Sequence, residues 1–280
     1  MNGHFLRKIK SLVFLCVLSL GLNFAVQAFA ETQASPDFAR IMGSGKIVVA
    51  MTDLDSPPFF MSDAEGNMSG IDVELARSIG ENLGVKVEFN RKAKTFNEVV
   101  EMVAAREADI SISYLSETLE RAKKVIFTKP YMIRYRTTIV NRLAIAQRKW
   151  GKNPLEGLNH KTVSIGALKG SSHFAFAQKT FPLAVMVPFD TREAAAEAAK
   201  TGKVQAAFFD DMFVERWSRS FPDAVLYLQT IVFKDKEDPI GIAVHWEDTH
   251  LREWLNQFVG VVTKDGTVDK LVTKYLESRK

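Results

Sequence analysis

Four sets of polar residues follow short apolar runs in this sequence, and their types suit either the capping of helices or the binding of a small charged ligand. Asp53 follows Lys46–Met51, and Ser113 to Ser116 with Arg121 follow the run beginning at Ala108. Further on, Gly170-Ser171-Ser172 follows Thr162–Leu168, and Asp210 follows Val204–Phe209. Open α/β sheets bind ligands beyond the carboxyl ends of their strands, where these groups fall if the apolar runs are strands. Thr118 suits a helix N-cap, which places Arg121 in the first helical turn, at the positive end of the dipole. A cation there costs about 0.3–1 kcal/mol unless an anion is close. That anion is either Glu117, four residues earlier, or a ligand carboxylate, which a planar guanidinium grips with two parallel hydrogen bonds. Gly170-Ser171-Ser172 leads into a helical pattern, so its amides and hydroxyls either cap that helix or bind the same anion. Asp210 suits a ligand ammonium or caps the following helix, with Asp211 the better placed of the two for the cap. Phe59, Phe60 and Phe96 either line a pocket or pack in a core. Arg134 and Arg136 either reach the mouth of the cleft, favouring an acidic ligand, or lie on a solvated edge. His160, His173, His245 and His250 lack metal-ligand spacing, although His173, directly after the serine turn, is placed to touch a ligand. No nucleophile stands beside a base as a hydrolase would need. No metal, cofactor or catalytic residue is expected.

To position these groups, β-branched runs and helical periods must alternate, and from Lys46 onward they do. Lys46–Met51 predicts a strand, and Ile71, Leu75 and Ile79 a helix ending at Gly84. Val85, Val87 and Phe89 alternate as in a strand; Phe96, Val99 and Val103 mark a helix, and Ala108–Ser113 a strand. Residues 124–143 differ: Val125–Thr128 and Thr137–Val140 are extended runs with no full helix between them, which predicts a crossover. The alternation restarts with Thr162–Leu168, His173–Phe181, Val185–Phe189, an alanine-rich helix over Thr191–Thr201 capped by Thr191, Val204–Phe209 and Asp211–Ser220. Ile240–Val244 predicts a second crossover, and Leu251–Val262 and Val268–Leu276 terminal helices. The expectation is an α/β protein of two lobes with mostly parallel sheets. Lobe one would comprise 38–140 plus 244–280, lobe two 141–243, and Thr138–Leu143 and Ile240–Val244 the connections that bend.

The first thirty residues read as an address rather than as fold. Arg7, Lys8 and Lys10 precede an apolar run from Leu12 to about Val26, and Ala28-Phe29-Ala30 is a small-x-small cleavage signal. That run is shorter than the roughly 20 residues a spanning helix needs, so export and cleavage near Ala30 are expected. The chain's single cysteine, Cys16, leaves with the signal, and a mature chain of about 250 residues must be held by packing without disulfides. The same cut lowers the net charge of +4 to about +1, which removes the basis for a nucleic-acid partner.

Several separated motifs carry a resemblance. Pro57-Pro58-Phe59, Gly70-Ile71-Asp72-Val73-Glu74-Leu75-Ala76, Thr118-Leu119-Glu120-Arg121 followed by Phe127-Thr128-Lys129-Pro130-Tyr131, Leu168-Lys169-Gly170-Ser171, Gly202-Lys203-Val204 to Asp210, and Asp265-Gly266-Thr267 are specific in their order and spacing. From about Lys46 to its end the chain resembles the extracellular solute-binding proteins, family three, of polar amino-acid ABC transporters. The resemblance implies a two-lobed periplasmic-binding-protein fold of type II that closes about a hinge on an amino-acid-like ligand and hands it to a membrane ABC permease. It further implies a monomer, a periplasmic location and no enzymatic activity. It implies that Arg121 grips the ligand α-carboxylate with Ser172, and that Asp210 takes the α-amine with a lobe-one serine, Ser116 matching the pattern. Ser171, Asp53, Phe59 and Phe96 complete the expected contacts. Two positions depart from the pattern: Ser56 stands where these receptors usually place an aromatic ring against the ligand side chain, and Tyr114 replaces a small residue in the amine-binding loop. The resemblance extends to cyclohexadienyl dehydratases on the same scaffold, which would need Asp210 or Asp53 as a general acid, and to sensor or accessory proteins with another periplasmic or membrane partner.

Overall fold

The computed structural model describes residues 34–148 and 154–277; the expected signal segment 1–30 lies outside them. Helix α1 (Pro36–Ser44) leads into β1 (Lys46–Thr52), and a small hairpin of β2 (Met61–Ser62) and β3 (Met68–Ser69) precedes α2 (Ile71–Leu83). Ile71, Leu75, Ile79 and Leu83 give α2 its buried face, and Gly84 ends it at φ 69°, a left-handed conformation that glycine adopts without a Cβ penalty. There follow β4 (Lys86–Ala93), α3 (Phe96–Ala104), β5 (Ile110–Ser111), a single 3-10 turn over Arg121–Lys123, and β6 (Val125–Phe127).

The second sheet begins with β7 (Met132–Asn141). Short helices α4 (Arg142–Arg148) and α5 (Pro154–Leu158) come next, then β8 (Ser164–Leu168), α6 (Ser172–Thr180), β9 (Val185–Phe189), α7 (Arg192–Lys200), β10 (Ala206–Asp210), α8 (Asp211–Ser220), α9 (Ala224–Tyr227) and β11 (Leu228–Ile240). The chain then returns to the first sheet through β12 (Ala243–His245) and ends in α10 (Thr249–Lys264) and α11 (Thr267–Glu277).

Strand order is β4-β1-β5-β12-β6 in one sheet and β11-β7-β10-β8-β9 in the other. Within each, one strand opposes the rest: β12 is antiparallel to β5 and β6, and β7 to β10 and β11, whereas β1 with β4 and β5, and β8 with β9 and β10, are parallel. The reversed strand is in both cases the one by which the chain arrives from the other sheet.

The sequence expectation is corrected here. Thr137–Val140 lies inside β7, paired on one side with β10 and on the other with β11, so the expected bend at Thr138–Leu143 and the boundary at 140/141 fall within the second sheet. The chain crosses instead at Thr128–Tyr131 and returns at Gly241–Ile242. These two crossings run side by side: Thr128 N donates to Ile242 O at 3.0 Å, Tyr131 N to Ile240 O at 3.0 Å, and Ile242 N to Thr128 Oγ1 at 3.1 Å.

Each lobe has its own core. The first sheet buries Ile47, Val49, Met51, Phe60, Leu75, Ile79, Leu251 and Leu255. The second is covered on both faces, so β10 alternates between two clusters. Ala206 and Phe208 face α6, while Ala207 and Phe209 face α7 and α8. Burying a phenylalanine on each face stabilises the strand by about 1.5–3 kcal/mol per ring. Because the strand is apolar on both faces, its polar end, Asp210, stands out at the sheet's carboxyl edge.

Candidate functional site

The strand ends of the two sheets face each other, and most of the groups expected from the sequence meet there. Ser116 lies on the loop after β5, next to the return crossing: Glu117 N donates to Pro239 O at 2.8 Å, and Ser116 bridges to Ile240. Its hydroxyl is 2.8 Å from the Ser172 hydroxyl of the other lobe and donates to Asp238 Oδ2 at 3.0 Å. Ser171 is the N-cap of α6, accepting from Phe174 N at 3.1 Å and donating to Leu168 O at 2.7 Å, which leaves Ser172 as the serine turned to the opposite lobe.

Arg121 is 5% exposed. Thr118 Oγ1 accepts from its amide at 3.3 Å, but the expected helix is only the one 3-10 turn. Its Nη1 donates to Ser116 O at 2.9 Å and its Nη2 to Asn97 Oδ1 at 3.4 Å. Among the described residues no carboxylate lies within ion-pair distance of it, so the alternative partner Glu117 is not used. Burial pulls the guanidinium pKa down to about 10, against the opposing field of Asp238. It remains a cation at neutral pH, desolvated and held by neutral oxygens, with other N–H groups free to donate.

Asp210 is buried and caps α8 through Oδ1, which accepts from Phe213 N at 2.7 Å. This reverses the expected division of labour, because Asp211 instead takes a bidentate pair from Arg134 at 3.0 and 2.8 Å. The second oxygen of Asp210 is buried without a hydrogen-bond partner among the described residues, and so is the Tyr114 hydroxyl. Tyr114 sits at φ 54°, stacked on Phe59 with ring centres 3.5 Å apart; burial first, and then the charge of Asp210, raise its phenol pKa well above the ordinary value. Phe59 thus belongs to the core of lobe one and backs the loop, whereas Phe96 lines a cavity between the lobes.

That cavity, of about 130 Å³, runs between Ser56, Pro57 and Phe96 on one lobe and Leu168, Thr191 and Arg192 on the other. Arg192 Nη1 donates to Ser56 Oγ at 2.6 Å across the lobes, and its guanidinium carbon stands 5.5 Å from the Phe96 ring centre and 5.8 Å from that of Tyr114. Asp53 does not line the cavity; Lys94 Nζ holds it at 2.5 Å and, with its charge, keeps the carboxyl below the ordinary carboxylate range.

Three residues near the site escaped the sequence. Asn97 lies in the first turn of α3. Asp238 is fully buried near the end of β11 and gathers Arg136 at 3.0 Å, Ser116, and His173 Nε2 at 3.4 Å. Burial works to raise its pKa, but His173, Arg136 and Ser116 together hold it below the ordinary value. Arg134 and Arg136 are therefore paired with internal carboxylates and not free at the cleft mouth. Arg192 carried a usable signal: it is a cation in the first turn after the Thr191 cap, the same anomaly that singles out Arg121.

A model of the bacterial extracellular solute-binding proteins, family 3, matches residues 48–278. The lysine/arginine/ornithine-binding periplasmic protein of Escherichia coli K12 is 27% identical, over 96% of this chain and 97% of its own. Among solved structures, an amino acid ABC transporter substrate-binding protein of Streptococcus pneumoniae bound to L-arginine aligns with a TM-score of 0.71 at 26% identity, covering 85% of this chain and 97% of that one. An ancestral amino acid-binding protein, a precursor of cyclohexadienyl dehydratase, aligns with a TM-score of 0.70 at 28% identity, covering 85% and 98%.

Proposed function

The chain belongs to the bacterial extracellular solute-binding proteins, family 3, and from that membership we propose that it is a periplasmic receptor, exported by cleavage near Ala30, that encloses one small amino acid between its lobes for an ABC permease. The observation that carries this reading is a pair of buried, opposite charges facing the cleft from different lobes. Arg121 has no carboxylate within ion-pair distance among the described residues, and Asp210 Oδ2 has no hydrogen-bond partner. A buried charge left without a counter-charge is costly, and a zwitterion supplies both partners at once: carboxylate to Arg121 and Ser172, ammonium to Asp210 with the Tyr114 hydroxyl beside it.

Closure bends the chain at Thr128–Tyr131 and Gly241–Ile242 and brings Ser116 against Ser172. The receptor acts as a monomer and as a binder. The dehydratase reading needs Asp53 or Asp210 as a general acid at the cleft: Lys94 holds Asp53 below the ordinary carboxylate range, and in this proposal Asp210 is the partner of the ligand ammonium. Among the described residues no helix is long and apolar enough to cross a membrane.

A thermal-shift screen of the mature protein with the amino acids tests the proposal. Ligand at about 100 times its Kd stabilises the native state by about 2.7 kcal/mol, a clear rise in melting temperature. No rise with any amino acid rejects it.

A further inference from the structure

Building on the receptor reading above, we propose that Arg192 is the residue that reads the ligand's distal end, and that the ligand is an amino acid with an anionic side chain. Arg192 is half-buried in the wall of the interlobe cavity, between Ser56 and the rings of Phe96 and Tyr114. All of these partners are neutral, and among the described residues no carboxylate lies within ion-pair distance of its guanidinium. The other charged groups of the wall are paired or lie at the exposed rim. Lys94 is bound to Asp53, Arg216 to Glu193 at 3.1 Å, and Asp55 to Arg91 at 2.9 Å, while Lys169 and Asp190 are exposed.

Three features favour an anion beside Arg192. It opens α7, where the helix dipole disfavours a cation and welcomes a negative charge. A guanidinium over two aromatic rings that uses only Nη1 on Ser56 keeps its Nε and Nη2 edge to offer two parallel N–H groups to a carboxylate. The Arg192 guanidinium carbon stands 5.8 Å from the Tyr114 ring centre, and the charges of both Asp210 and Arg192 act on the Tyr114 phenol, so the proposed amine partner and the distal cation share one neighbour.

Both departures from the family pattern then have one explanation. Ser56 is small enough to admit the Arg192 guanidinium and bonds it, and Tyr114 supplies the second ring against it. The slot beside Phe96 is occupied by the protein's own cation, so an arginine or lysine side chain entering it meets like charge, and discrimination against cationic ligands comes from repulsion as much as from attraction to anionic ones.

Calorimetry on the mature chain with L-glutamate, L-aspartate, L-glutamine, L-arginine and succinate tests this. Glutamate or aspartate is expected to bind at least about tenfold more tightly than glutamine, arginine or succinate. Arg192→Gln is expected to weaken the acidic ligand about 100-fold and to leave glutamine within about threefold, while Arg192→Lys retains part of the preference. The proposal is overturned by arginine binding the wild type as tightly as either acidic amino acid, by succinate matching glutamate, or by an acidic affinity that Arg192→Gln leaves within about twofold. If Arg192→Gln fails to fold, the wild-type ranking and Arg192→Lys decide. The two readings fail differently: a wild type that binds arginine, with loss in Arg121→Ala, keeps the receptor and removes the selectivity. A wild type that binds no amino acid removes both.

Discussion

Arg121 and Arg192 occupy comparable places and meet different surroundings. Each opens a helical element, each follows a threonine whose hydroxyl accepts from the first turn, and neither has a carboxylate within ion-pair distance among the described residues. Arg121 is desolvated, clamped by a carbonyl and an amide oxygen, with its pKa pulled down to about 10 by burial. Arg192 is only partly buried, lying over two rings and bonded to one hydroxyl. A guanidinium with no freedom to move suits the end that every α-amino acid shares, whereas a stacked, partly hydrated one suits the end that varies. Arg121→Ala should therefore weaken every amino-acid ligand, by about 2–5 kcal/mol, because a desolvated carboxylate loses its partner. Arg192→Gln should weaken only the acidic ones. Calorimetric profiles of the two variants that lose the same ligands in the same ratio would erase the distinction.

A buried carboxylate also supports the outgoing crossing. Asp72, fully buried near the start of α2, accepts from the Tyr131 hydroxyl at 2.9 Å, which ties α2 to the outgoing crossing. Burial raises its pKa from 3.8 to about 7. Between these values the native protein carries a proton that the unfolded chain has released, so stability falls as pH rises, by about 1.4 kcal/mol per unit. From pH 5 to 7 that amounts to about 2 kcal/mol, because the native group is already half ionised at pH 7, and the slope ends above about pH 7 once both states are ionised. Asp72→Asn keeps an acceptor for Tyr131 and should remove the slope. Urea unfolding at pH 5 and pH 7.5 measures it, and equal pH dependence in variant and wild type would exclude Asp72 as the source.

Asp210 tests the same contrast from the second lobe, because its two oxygens have different work. Oδ1 caps α8, and the asparagine of Asp210→Asn keeps that acceptor, so stability should change little. The lost charge should weaken a ligand ammonium by about 2 kcal/mol. Asp210→Ala also loses the cap, adding about 1 kcal/mol of instability. An Asp210→Asn protein that binds normally would reduce Asp210 to a helix cap.

Legibility in the sequence follows how local each cause is. The helices at Ile71–Leu83 and Arg192–Lys200 and the strand at Ala206–Asp210 were visible because apolar spacing and caps are local signals. Thr137–Val140 was visibly extended, but only its pairing with β10 and β11 says which sheet owns it. β11 was not expected at all: its run Lys234-Asp235-Lys236-Glu237 is fully charged, and the strand lies at the edge of its sheet with its register shifted across that run. Asp238 therefore went unnoticed, and with it the partner that takes Arg136 out of the cleft. Of the site itself, Arg121, Ser116, Ser172 and Asp210 were visible as polar groups after strands. That Asp211 would take Arg134, leaving the cap to Asp210, depends on a residue 77 positions away in sequence and could not be seen.

Gly170 lies between the two corners, beside the Ser171 cap and against the Thr95 cap of α3, and gives the smallest of these effects. At φ 68° it holds a left-handed conformation, and a Cβ placed there would stand 2.7 Å from Thr95 Cβ on the other lobe. Gly170→Ala carries two separable costs. The conformational one, about 1 kcal/mol, is present whether or not the lobes meet and appears in unfolding of the ligand-free protein. The steric one exists only when the lobes are together, so it appears in ligand affinity. A variant that loses stability but binds glutamate and arginine with wild-type affinities would mean that the lobes do not need this contact to close. Weaker binding of both by the same factor would place Gly170 in closure itself, common to the Arg121 and Arg192 ends, and leave the choice between ligands to Arg192.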